Sequence, residues 1–224
     1  MRLKLVIFDV DGTLVDSQGL IVEAMDLAFA AEGLTPPARQ ATLGIVGLSL
    51  DAAIFKLYPE GAPDLRARLV EGYKVGYMQR RGALGVAQSS PFFEGARETL
   101  MRLNTREDVV LGVATGKSRR GLDKLIEGHD LKGVFVTTQV SDDHPSKPHP
   151  SMIETALAEA GVATQDAVMI GDTSYDMDMA AAAGVTGIGV DWGYHPNAEL
   201  RAAQKIVASF QELEDTLTGI WEHH

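Results

Sequence analysis

The sequence predicts an α/β protein: a doubly wound parallel sheet, interrupted early by an inserted α-helical cap subdomain. Three observations carry this expectation. The run LVIF (5–8) is apolar without alternation, as in a strand covered on both faces of a parallel sheet. From residue 91 onward, short helical and strand patterns alternate, the rhythm of an α/β chain. Between the first strand and the next, at 108, lies far more chain than one crossover helix requires, and no convincing strand interrupts it.

Taken in order, the elements read as follows. The first strand ends in Asp9 and Asp11, with Gly12 supplying a turn. Residues 17–32 form a helix with Leu20, Ala24, Leu27, Ala28 and Ala31 on one face, and 49–58 and 64–80 repeat that pattern. These define a helical cap at 17–89 and a catalytic core at 1–16 plus 90–221. Strands are expected at 108–115, 133–138, 166–172 and 184–191, with a weaker one at 205–209. Between them, EGARETLMRLN, SRRGLDKLIEGH, PSMIETALAEAG, TSYDMDMAAAAG and NAELRAAQ read as helices. Pro150 suits a first helical turn, and Gly161 and Gly184 suit C-terminal caps. The closing residues, 222–224, suggest a tag remnant.

Bulk properties narrow the function. A 224-residue chain that is 45% apolar can bury a sizeable core. Its net charge of -11 and pI near 4.9 argue against nucleic acid or an anionic membrane as partner. A small anionic substrate is compatible if local cations receive it. No cysteine is available for disulfides or thiolate metal sites. The N-terminal apolar run is too short for a secretory signal and nothing approaches a membrane span, so a cytoplasmic protein is expected. Nothing points to an oligomeric state.

Chemistry collects at the strand ends. Asp9, Thr115 and Asp172 each fall at or near the end of an apolar strand, and in an open parallel sheet those ends share the ligand-binding rim. Asp176 lies one helical turn beyond Asp172. Four carboxylates in one crevice, counting Asp11, call for a divalent cation; hard oxygen donors favour magnesium. Lys147, held between turn-forming residues in SKPHP, supplies positive charge. Thr115, Gly116 and Ser118 offer hydroxyl and backbone N–H groups to an anion where a strand gives way to a helix.

Other polar residues read more plainly. Asp16 and Ser17 suit caps of the first inserted helix. Lys117 and Asp178 are expected to face solvent. His144, His149 and His195 are loop polar groups without metal-ligand spacing. Tyr73, Tyr77 and Met78 suit the cap's own core. In LGIVGLSL (43–50), Gly44 and Gly47 would let a cap loop approach a ligand, or serve as ordinary turn glycines.

DVDGT, the threonine of ATGK, the lysine of SKPHP and GDTSYD, in that order, resemble the four motifs of the haloacid dehalogenase superfamily, most closely its phosphoglycolate phosphatase branch. The likeness spans essentially the whole chain. It implies a Rossmann-like core and a magnesium-dependent phosphomonoesterase acting on a small soluble ester, such as phosphoglycolate or a sugar phosphate. It implies that Asp9 is the nucleophile forming an aspartyl phosphate, and that Asp11 is the general acid and base. Magnesium would be held by the Asp9 carboxylate, the Asp11 backbone carbonyl and the Asp172 carboxylate, with Asp176 in support. Thr115 and Lys147, with backbone N–H groups near Gly12 and Gly116, would hold the phosphoryl oxygens. Asp11 separates this chain from the family's metal-free dehalogenases, which lack that aspartate, and from its phosphonoacetaldehyde hydrolases, which have alanine there. Two alternatives remain: a sugar-phosphate mutase of the β-phosphoglucomutase type, and a non-catalytic module binding phosphate or a partner.

Overall fold

A computed structural model describes residues 2–222; His223 and His224, part of the possible tag remnant, lie outside the described residues. Six strands, β1 (Lys4–Phe8), β2 (Val109–Thr115), β3 (Phe135–Val140), β4 (Ala167–Gly171), β5 (Thr186–Val190) and β6 (Lys205–Val207), form one all-parallel sheet ordered β3-β2-β1-β4-β5-β6. β1 lies between β2 and β4, where the order reverses, so its end opens into the crevice characteristic of doubly wound sheets.

Period-2 geometry explains why β1 is apolar throughout. Val6 and Phe8 pack on one face with Leu100, Leu111 and Val113, while Leu5 and Ile7 pack on the other with Met152, Ile153 and Met169. Every side chain of Leu5–Phe8 is fully buried.

Five helices intervene between β1 and β2: α1 (Gln18–Ala31), α2 (Arg39–Leu43), α3 (Leu50–Leu57), α4 (Pro63–Leu84) and α5 (Val86–Ser89), with no strand among the described residues there. Met25, Ala28, Phe29, Ile54 and Leu69 build a separate apolar cluster for them. α4 begins with Pro63 in its first turn and stops at Gly85, whose φ of 77° no ordinary helix continues. Chain entry and exit run side by side: Val15 bridges Phe92 in antiparallel fashion, Asp16 N–H donates to Pro91 (2.8 Å) and Phe93 N–H to Leu14 (3.0 Å).

The remaining helices, α6 (Ala96–Asn104), α7 (Arg119–Gly128), α8 (Ser151–Ala160), α9 (Ser174–Ala182) and α10 (Phe210–Glu222), cover the sheet. The parallel sheet with a helical cap is the architecture the sequence predicts, with three differences. β3 begins at Phe135, because Gly133 adopts a φ of 79° in the preceding turn. NAELRAAQ holds only a 3-10 turn, Asn197–Glu199: its one large apolar residue, Leu200, cannot supply a helical face. The helix lies later, in α10, where Phe210, Leu213 and Leu217 recur at helical spacing against the core. α2 and α5 are also additional, each too short to show a periodicity. Pro150 stands immediately before α8 as its N-cap residue, and Gly161 closes that helix in the left-handed region. No described helix is long and apolar enough to cross a membrane.

Candidate active site

β1 carries Asp9 to the rim of the sheet, where it is 1% exposed. Its Oδ1 accepts a hydrogen bond from Lys147 Nζ (2.7 Å), while its Oδ2 is buried without any partner. Burial is the main reason the Asp9 carboxyl is pushed up to about 7; Lys147 opposes that shift and Asp176 adds to it.

β4 delivers Asp172, which is fully buried. Thr13 Oγ1 donates to its Oδ1 (2.9 Å) and Tyr194 N–H to its Oδ2 (2.8 Å). Burial, then Asp9 and Asp176, hold its pKa well above the ordinary carboxylate range. Gly12 is a requirement of this packing: at a φ of 90°, a Cβ there would lie 2.3 Å from Asp172 Oδ2. The Gly12 N–H donates to the Val15 carbonyl (2.9 Å).

Asp176 lies on the first turn of α9, also fully buried. Thr173 N–H and Oγ1 donate to its Oδ2 (3.1 and 2.7 Å), and the Thr173 hydroxyl accepts in return from the Asp176 N–H, a reciprocal capping box. Its Oδ1 accepts from Lys147 Nζ at 2.6 Å. Burial alone would lower the Lys147 pKa, but the Asp176 and Asp9 carboxylates outweigh it and hold the ammonium above its ordinary value.

Oxygens of Asp9, Asp172 and Asp176 lie within 4.8 Å of one another. Three buried carboxylates face one ammonium, leaving negative charge in excess and the Asp9 Oδ2 unused. An all-oxygen donor set with a charge deficit fits a hard divalent cation.

Asp11 belongs to a second network. Lys117 Nζ donates to both of its carboxylate oxygens at 2.6 Å and to the Tyr77 hydroxyl at 3.1 Å, and Ser17 Oγ donates to Asp11 Oδ1. Two expectations fail here. Lys117 turns inward, its side chain only 8% exposed, because the Asp11 carboxylate and the Tyr77 ring and hydroxyl draw it from solvent. Ser17 makes no side-chain cap bond; it spends its hydroxyl on Asp11, and Asp16 Oδ1 accepts from the Gln18 N–H (3.2 Å) instead. A signal for Lys117 existed in its period-2 spacing from Thr115. Tyr194 had none: its hydroxyl accepts from the Ser17 N–H (2.9 Å) and donates to Asp16 (3.3 Å) from 177 and 178 residues away.

A cavity of about 580 Å³ opens between helical insertion and sheet, lined on the core side by Asp9, Asp11, Thr115, Gly116 and Lys117. Thr115 Oγ1 accepts the Lys117 N–H (3.2 Å). Gly116 permits contact across the cleft, since a Cβ there would stand 2.5 Å from the Gly47 carbonyl oxygen. Gly47 lines the cavity, whereas Gly44 does not; the Gly44 carbonyl accepts from Tyr175 (2.8 Å). Lys147, Asp172 and Asp176 sit behind Asp9, away from the cavity wall. Asp178 is exposed as expected. His144 bonds Ser151 and Gln139, both at 2.8 Å, whereas His195 is buried against the Tyr175 ring.

Comparison with known proteins agrees with this arrangement. A family model described as haloacid dehalogenase-like hydrolase matches residues 6–190. The probable phosphatase IndB of Dickeya dadantii (strain 3937) is 34% identical over 216 residues, covering 93% of this chain and 91% of that protein. A protein named phosphoglycolate phosphatase from Photorhabdus laumondii is 26% identical over 218 residues, covering 96% and 92%. Among solved structures, a hydrolase from Pseudomonas syringae superposes with a TM-score of 0.84 at 26% identity, covering 97% of this chain and 99% of that one. By the length of the family match and the identity to IndB, the chain belongs to the haloacid dehalogenase-like hydrolases.

Proposed function

We propose that this protein is a magnesium-dependent phosphomonoesterase that hydrolyses a small soluble phosphate ester, in the manner its phosphatase-named relatives suggest, and works in the cytoplasm. The observation that carries this reading is Asp9: a buried carboxylate lining the cavity, with one oxygen on Lys147 and the other unpartnered, and with Asp172 and Asp176 behind it.

In this reading one Asp9 oxygen attacks phosphorus, forming an acyl phosphate as the bond from phosphorus to the ester oxygen breaks. Asp11, once released from Lys117 and protonated, gives its proton to the departing alkoxide. It then takes a proton from the water that attacks phosphorus, returning Asp9 and freeing inorganic phosphate. Lys147 and Thr115 stabilise charge on the phosphoryl oxygens. Asp9, Asp172 and the Asp11 backbone carbonyl would hold magnesium, with Asp176 fixing Lys147 and the local geometry; the ion supplies charge neutralisation for phosphoryl transfer.

The test is phosphate release from a panel of phosphomonoesters with magnesium or with chelator. Release should require magnesium and disappear in Asp9→Asn, whose amide cannot serve as the nucleophile. Activity that survives this substitution refutes the mechanism. Isomerised sugar phosphate with little free phosphate would establish a mutase, and phosphate binding without turnover would establish a binding module.

A further inference from the structure

We infer that the ester taken by this site carries a ring-sized leaving group with an apolar face, not a two-carbon acid such as glycolate. The inference rests on the phosphomonoesterase reading and concerns what occupies the space beyond the phosphate.

The first ground is volume. The cavity measures about 580 Å³, within the roughly 300–1,000 Å³ of sites that envelop drug-sized molecules. That space persists with the helical insertion already seated on the sheet. Ser49 N–H donates to Ser146 (2.9 Å), Tyr175 to the Gly44 carbonyl (2.8 Å), and Lys117 to Tyr77 (3.1 Å). A glycolyl group would fill a small part of it and leave the wall wet.

The second ground is chemistry. Most of the lining that the helical insertion contributes is apolar or aromatic, including Ile21, Met25, Ile45, Leu48, Tyr73 and Tyr77, with Ser49 and Asp51 as polar members. Such a surface rewards apolar contact and offers an aromatic edge to a ring. A leaving-group carboxylate needs a countercharge there. Lys117 is already matched by Asp11, and Lys74 by Glu71 at the exposed lip. Arg81, half-buried over the Tyr77 ring at 5.6 Å, and the exposed Arg120 at the cavity edge are the remaining lining cations such an acid would use.

The test compares esters of primary alcohols, whose alkoxides depart with similar difficulty, so that differences in kcat/KM report fit. Ethyl phosphate, phosphoglycolate, phenethyl phosphate and glucose phosphorylated on its primary hydroxyl form the set. At least one ring-bearing ester should exceed both ethyl phosphate and phosphoglycolate by tenfold or more; which ring leads distinguishes an aryl from a sugar substrate. Val75→Trp places bulk at the cavity's exposed lip, on a residue outside the apolar clusters. It should lower kcat/KM for the preferred ring ester tenfold and leave ethyl phosphate unchanged. Phosphoglycolate equal to or better than the ring esters, particularly if Arg81→Ala or Arg120→Ala removes that advantage, overturns the inference. So does an equal loss on all esters in Val75→Trp. No release from any ester would instead defeat the phosphomonoesterase reading itself.

Discussion

Lys147 holds the electrostatic balance of the site, since its ammonium is shared by Asp9 and Asp176 and all three side chains are buried. Lys147→Met keeps most of the volume and removes the charge, leaving both carboxylates without an ion partner. Destabilisation of about 3–5 kcal/mol is expected, measured by urea unfolding in chelator, together with loss of phosphate release. Unchanged stability would show that the carboxylates do not depend on it. Tyr194 acts on two sites through two different atoms: its N–H holds Asp172, and its hydroxyl holds Asp16 and Ser17, where the chain leaves the sheet. Tyr194→Phe keeps the ring and the N–H but leaves the Ser17 N–H unpartnered, a cost of about 1–3 kcal/mol readable in the urea midpoint; a midpoint equal to wild type would count against the contact. At this scale the sequence exposed residues that sit at strand ends or between prolines, namely Asp9, Asp11, Thr115, Lys147 and Asp172. It concealed Tyr194, whose role comes from partners 177 and 178 residues away, and it left Lys117 and Ser17 misassigned to solvent and to a helix cap.

Among the elements, α9 joins structure and chemistry most closely, because the carboxylate that caps its N-terminus also fixes Lys147. Thr173→Ala should cost about 1 kcal/mol through the lost cap and lower activity as well, since Asp176 Oδ2 loses its hydroxyl donor. A stability loss with fully retained turnover would separate the cap from the site. β1 and β4 were legible because burial on both faces leaves an unbroken apolar run, Leu5–Phe8 in one and Ala167–Gly171 in the other. The last stretch was less legible for the opposite reason. NAELRAAQ has good helix formers but one large apolar residue, and tertiary packing chose α10, which had an apolar face to bury.

Across the whole molecule, His129 sits where the returning chain meets α7. Its Nε2 donates to the Ser90 carbonyl (2.8 Å), its ring lies 4.3 Å from that of Phe92, and Arg97 donates to its carbonyl oxygen (2.6 Å). Burial, with a lesser contribution from Arg97, lowers its pKa below the ordinary imidazole value, against the Ser90 hydrogen bond that raises it. The unfolded chain therefore takes up the proton more readily. This contribution to stability is complete above the unfolded pKa, near about 6.5, and declines as pH falls below it. The raised Asp9 and Asp172 pKa values act in the opposite sense in this window, so the readout is a difference: from about pH 7.5 down to about pH 5.5 wild type should lose unfolding free energy relative to His129→Gln. An unaltered slope in the variant would exclude His129 as the source.

The paired entry and exit at Val15 and Phe92 have a consequence for descent. Because the detour between them begins and ends at one hydrogen-bonded junction, lengthening it adds only a slowly growing closure cost. It does not disturb the register of β1 on β2. Mutation can therefore remodel the lid wholesale, trading one chamber for another, while the reacting groups below it keep their positions.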